Sequence, residues 1–220
     1  MIPIYSHSAL KKFSTCPKQY YHVKIAKDVT ESQGEAAAWG EYAHKCFEDF
    51  IAEGVELPAN VAMYTPFIEK VSRLEGAKFT EAELAVTKEF EACAYSAPNA
   101  MFRGIADLVI LRAPNAVVVD YKFGSAKYPD KTQLERMALC LFAKYPEVIT
   151  IRGALLFIKD IAQEQATYTR DKLPVYQANL MKAIDRVNVA RETDVWVAKP
   201  SGLCRGWCPV KTCEHYESKK

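Results

Sequence analysis

The order of elements in this sequence predicts an α/β domain with a central mixed β-sheet flanked by helices. Three stretches carry that prediction: a helix over Glu35–Ala52, two apolar strands joined by a turn over Phe102–Lys122, and a helix then a strand between Thr132 and Ile158. At 220 residues and 50% hydrophobic, the chain can bury one good core with a small appendage.

Composition excludes several classes. No apolar run approaches the ~18–20 residues of a membrane span. The N-terminal stretch lacks the apolar core and cleavage site of a secretory signal. A cytoplasmic location is therefore expected. There, the seven cysteines read as thiols or metal ligands rather than disulfides. The net charge of +2 is unevenly spread, with basic ends around an acidic stretch over residues 29–100. Such a distribution is compatible with nucleic-acid binding but is shared by many solvated faces.

In chain order, Ser6–Ile25 opens as a capped helix, with Ser6 or Ser8 as N-cap and Cys16-Pro17 as an interruption. Its Tyr20-Tyr21 pair could stack on bases or fill a core. Over Glu35–Ala52, Trp39, Tyr42, Cys46, Phe47 and Phe50 follow the spacing of a buried helical stripe. His44 and Glu48 lie four apart and share one side of that helix. A loop and a helix over Pro66–Lys78 precede an expected opening strand, Ala85–Ala94, which carries Glu89. Beyond the hairpin, Thr132 is the expected N-cap of a helix ending at Tyr145, with Glu135 completing a capping box. Strands over Val148–Ile158 and Gln165–Tyr168 and a helix over Val175–Thr193 follow.

The hairpin holds the chemistry. Gly104–Leu111 carries Asp107 inside an apolar run, and Val117–Phe123 ends in Asp120-Tyr121-Lys122. Residues two apart on a strand share a face, so Asp120 and Lys122 project together. The bland alternative is an ion pair at a strand end. Asp107, brought alongside by the hairpin, adds a second carboxylate, and two carboxylates with an ammonium suit a divalent cation and a phosphoryl group.

This D…D-x-K hairpin resembles the PD-(D/E)XK nuclease superfamily, although Ala106 stands where a proline often precedes the first aspartate. Ser6, Ser8, Leu10, Phe13, Cys16, Pro17 and Tyr20 match the opening of its RecB-like members, and Gly40-x3-His44-x3-Glu48 resembles their metal-binding helix. The resemblance implies a restriction-endonuclease-like core and a Mg²⁺- or Mn²⁺-dependent deoxyribonuclease. His44, Asp107, Asp120 and the Tyr121 carbonyl would hold the metal, Lys122 and Gln133 would join them in catalysis, and Glu48 is an accessory candidate. The family's Q-x3-Y motif is half present, as Gln133 with Met137 in place of tyrosine. The implied substrate is DNA, single-stranded or at duplex ends, cut as an exonuclease would in recombination, replication or repair. A structure-specific endonuclease and a non-catalytic iron–sulfur DNA-binding protein are the alternatives. Stand-alone nucleases of this kind are similar to those that phages and CRISPR loci encode; a homo-oligomer or a recombination or replication partner protein is compatible with that setting.

The tail packs Cys204-x3-Cys208-x4-Cys213 into ten residues, a metal-ligand spacing whose alternative is a small core of reduced thiols. His215 is the nearest fourth ligand and would suit zinc. The same resemblance implies instead that Cys16 joins the three tail cysteines around a 4Fe–4S cluster, although C-x2-C-x5-C is the commoner spacing there. The expected organisation is thus one nuclease domain over 1–220, with 1–30 and 195–220 forming the cluster subregion. Cys46, Cys93 and Cys140 read as buried thiols.

Overall fold

The computed structural model describes residues 3–31, 34–127 and 129–218. The chain divides into two compact units, one comprising Met1–Ile4 and Glu35–Ala178, the other Tyr5–Gly34 and Asn179–Lys220.

The first unit is built on a five-stranded mixed sheet in the order β1-β2-β3-β4-β5. Its strands are β1 (Ala77–Val86), β2 (Phe102–Arg112), β3 (Asn115–Lys122), β4 (Thr150–Phe157) and β5 (Ala162–Thr169). Only the β3–β4 pair is parallel. A parallel pair needs a crossover, and α5 (Thr132–Lys144) supplies it. On one face, Phe47 of α3 (Glu35–Glu53) and Ile68 of α4 (Thr65–Ser72) pack with Leu108, Ile110, Tyr121 and Leu156. Alternation along β3 leaves Asp120 and Lys122 on the opposite face, toward α5.

Close approach of α5 to the sheet requires a missing side chain. A Cβ at Gly153 of β4 would stand 3.1 Å from Leu134 atoms and 3.1 Å from the Tyr168 ring. Gly153→Ala is expected to cost about 1–3 kcal/mol by overpacking, read as a lowered urea midpoint at unchanged slope.

Two local expectations shift. The strand foreseen at Ala85–Ala94 lies earlier, as β1 over Ala77–Val86, and the preceding helix stops at Ser72. Exposed and partly buried residues alternate over Lys78–Glu83, as befits an edge strand, and their charges mask the pattern in the sequence. Thr132 is the first residue of α5 and not its cap; Lys131 takes the N-cap position without a side-chain cap bond, and Asp130 Oδ1 accepts from both the Thr132 amide (3.1 Å) and its hydroxyl (2.6 Å).

The second unit contains α1 (His7–Thr15), whose N-cap Ser6 accepts from the Ala9 amide, then α2 (Pro17–Tyr20) and a π-helical turn over Tyr21–Ala26. Tyr20 is buried edge-on against Phe13 and stacked on Trp196, which assigns that tyrosine to the core. The tyrosine's neighbour, Tyr21, also packs on Trp196. The second half of α6 (Leu173–Thr193) belongs to this unit, and Tyr5 Oη donates to its Asn188 at 2.5 Å. Beyond α6 the chain is irregular apart from a 3-10 turn at Gly202–Cys204. The Glu217 amide bonds the Cys204 carbonyl, and Lys18 is ion-paired with Glu214. Among the described residues, no helix is long and apolar enough to cross a membrane.

Candidate functional site

The ladder between β2 and β3 ends at Leu108–Val119, and the next pair would be Asp107 and Asp120. There a side chain replaces the backbone: Asp107 Oδ2 accepts from the Tyr121 amide at 2.6 Å. Helix α3 brings His44 to the same place. Its Nε2 lies 3.1 Å from the Tyr121 carbonyl oxygen and its Nδ1 3.5 Å from Asp107 Oδ1. Both ring nitrogens face oxygens, an arrangement suited to an imidazolium or to an imidazole that shares a cation with those oxygens.

From the opposite face, α5 delivers Gln133 in its first turn. The amide group is used at both ends, with Nε2 donating to Asp120 Oδ1 and Oε1 accepting from Lys122 Nζ at 2.8 Å. Lys122 Nζ also lies 2.5 Å from Asp120 Oδ2, an ion pair whose direction leaves that oxygen without a hydrogen-bond donor. Asp120 is only 5% exposed, so an oxygen with an open lone pair is buried beside two other charged groups. The Lys122 ammonium balances its charge, and the lone pair left open is available to a metal ion.

The titration behaviour agrees. Burial raises the Asp120 carboxyl to about 6 and the Asp107 charge adds to the rise, while Lys122 and His44 oppose it. At His44, burial is the largest influence and pulls downward. The Asp107 hydrogen bond and the charges of Asp107, Asp120 and Glu81 together outweigh it, so the imidazole is held above its usual range.

The sequence-derived candidates His44, Asp107, Asp120, Tyr121, Lys122 and Gln133 thus converge at the end of β3, reached by helices on both faces. Glu48 lines the same cleft but is ion-paired with Lys45 at 3.0 Å, so the polar contacts of His44 come from Asp107 and Tyr121. Glu89 lies in the turn beyond β1, its amide bonded to Thr87 Oγ1. Sequence reasoning missed Glu81. It sits on β1 opposite Asp107, between the ladder pairs Thr80–Leu108 and Ala82–Ala106. Its carboxyl is raised, first by burial and then by the charges of Asp107 and Glu48. No sequence signal marked Glu81, because the alternation over Lys78–Glu83 is one of exposure and the residue types do not follow it.

In the second unit, Cys16, Cys204, Cys208 and Cys213 line one cavity together with Lys18 and His215. Cys16 Sγ accepts from the Lys199 amide and Cys204 Sγ from the Ser201 amide, each at 3.5 Å. Burial raises the Cys208 thiol, and charge on Cys16, Cys204 and Cys213 adds to the rise. Among the described residues, the one set of three His, Cys, Asp or Glu ligand atoms within 4.8 Å of one another is His44, Glu81 and Asp107. Cys140 is fully buried, while Cys46 and Cys93 are partly buried.

The sequence matches the family profile of the PD-(D/E)XK nuclease superfamily over residues 4–213. No curated protein matches it by sequence. Among solved structures, the crystal structure of SSO0001 is similar at a TM-score of 0.52 and 13% identity, covering 98% of this chain and 87% of that one. A protein from Eubacterium rectale assigned as an exonuclease is similar at a TM-score of 0.53 and 14% identity, covering 98% and 88%. At such identities the two structures speak for the fold alone. The profile match spans both the β3 site and the four cysteines, and the chain belongs to the PD-(D/E)XK nuclease superfamily.

Proposed function

We propose that this protein is a Mg²⁺- or Mn²⁺-dependent deoxyribonuclease of the RecB-like type, acting as an exonuclease on DNA ends. The observation that carries the reading is the meeting of His44, Asp107, the Tyr121 carbonyl and Asp120 with a lysine fixed by Gln133. His44, Asp107, Asp120 and the Tyr121 carbonyl would hold the divalent ion, which when bound supplies Lewis-acid activation of the scissile phosphate and of water. Gln133 holds the Lys122 ammonium in place, so the lysine stabilises charge developing on the phosphate without reorganising. Burial and the Asp107 charge hold the Asp120 carboxyl above its ordinary range, and a bound divalent ion would favour its ionised form.

The same resemblance, with four thiols around one cavity, supports a 4Fe–4S cluster on Cys16, Cys204, Cys208 and Cys213. Zinc with His215, which lines the same cavity, is the alternative. Recombination, replication or repair of DNA, in a phage or CRISPR setting, is the role that such a nuclease would fill.

Linear and circular single-stranded DNA, offered with Mg²⁺ and with Mn²⁺, decide the mode of attack. The expected result is degradation of linear strands and survival of circles. Cutting of circles at a comparable rate would replace the exonuclease by a structure-specific endonuclease on the same site. Survival of both, with duplex ends also untouched, would remove the catalytic reading.

A further inference from the structure

We propose that Glu81 is a further side-chain metal ligand of the β3 site, added to His44, Asp107 and Asp120. The proposal rests on the metal-dependent reading above and adds a residue to it. Three observations carry it. First, one ligand atom each from His44, Glu81 and Asp107 lie within 4.8 Å of one another, and these residues come from a helix and two neighbouring strands. Ligands sharing a Mg²⁺-sized ion stand ~3–4 Å apart, so small side-chain movements close the set.

Second, Asp120 is already engaged by Lys122 and Gln133 on the α5 side of Asp107. Glu81 stands on the other side of Asp107, where β1 borders β2. Among the described residues it makes no hydrogen bond or ion pair; nearby Lys45 is paired with Glu48 and Asp49. Its neighbours in the set are a second acid, Asp107, and the His44 imidazole; the two carboxylates repel each other, and a divalent ion shared by the set removes that repulsion.

Third, Glu81 has φ 46°, the left-handed region that glycine and asparagine occupy more readily. If the position served only to bend β1, asparagine or glycine would fill it with less strain. Glutamate holds a carboxylate there against the backbone preference, as strained residues at functional sites do.

Backbone and ligand roles separate in one experiment. Full-length wild type, Glu81→Asn, Glu81→Gln and Asp107→Asn are titrated with Mn²⁺ by calorimetry, and each is melted in EDTA. Glu81→Asn is expected to melt at or above the wild-type temperature and to bind Mn²⁺ at least tenfold more weakly. Glu81→Gln, which keeps the side-chain length, should lose the same affinity and so carries the comparison if asparagine disturbs β1. Wild-type Mn²⁺ affinity in both Glu81 variants, with binding lost in Asp107→Asn, would overturn the ligand role while the metal site stands. Absence of Mn²⁺ binding in the wild type would overturn both.

Discussion

Asp120→Asn is expected to lower DNA cleavage by about a thousandfold or more, the loss of roughly 4 kcal/mol of transition-state stabilisation, while the protein in EDTA becomes more stable at neutral pH. The second half of that expectation follows from linkage. The Asp120 carboxyl titrates at 3.8 when unperturbed and at about 6 in the fold. Between those values the folded chain holds a proton that the unfolded chain has released. Stability therefore falls as pH rises through that window and stays lower above it, by up to about 3 kcal/mol. His44 acts in the same direction. Its folded value is raised, so its contribution is present at low pH and is lost as pH rises through that value. Melting curves in EDTA from pH 4 to 8 should show the wild type losing stability with rising pH, and Asp120→Asn losing less. Wild-type cleavage by the variant would sink the site assignment; parallel pH profiles would sink the electrostatic account.

Cys208→Ser is expected to abolish the metal content of the second unit and to open its tail to proteolysis. Protein purified without oxygen should carry about four irons and four sulfides per chain, and the variant should carry none. Without a cluster, the stretch after α6 has one short 3-10 turn and few buried side chains, Val210 among them. Structural metal sites supply folding energy directly, on the order of 10 kcal/mol for zinc peptides. Trypsin should then cut at Arg205 or Lys211, which the wild type should resist. Zinc in place of iron would move the assignment to a zinc centre with His215. No metal in the wild type, with protease resistance unchanged in the variant, would mean that the thiols only pack; wild-type metal content in the variant would remove Cys208 from the ligand set.

What could be read from the sequence followed from how strongly each element is patterned. The stripe from Trp39 to Phe50 and the valines of β3 placed α3 and the hairpin to within a few residues. Asp107, Asp120 and Lys122 were legible because charges in apolar strands have few bland explanations. Gln133 followed from its position one short loop after β3. Glu81 was not legible. The alternation along this edge strand is one of exposure that the residue types do not follow, and a positive φ leaves no mark on a glutamate. The cap of α5 was misplaced by one residue because Thr132 is a good capping residue and Lys131, which takes the position, carries no capping signal.

The second unit takes its residues from Tyr5–Gly34 and Asn179–Lys220, with the whole Glu35–Ala178 segment between. During synthesis, Cys16 therefore leaves the ribosome well before Cys204, Cys208 and Cys213 exist. At ~5–20 residues per second, the delay is roughly ten to forty seconds. The sheet and its acidic site can fold in that interval, whereas the four-thiol cavity can close only after the tail emerges. Maturation of this protein is thus ordered by the chain itself, with the hydrolytic core assembled first and the cysteine centre last.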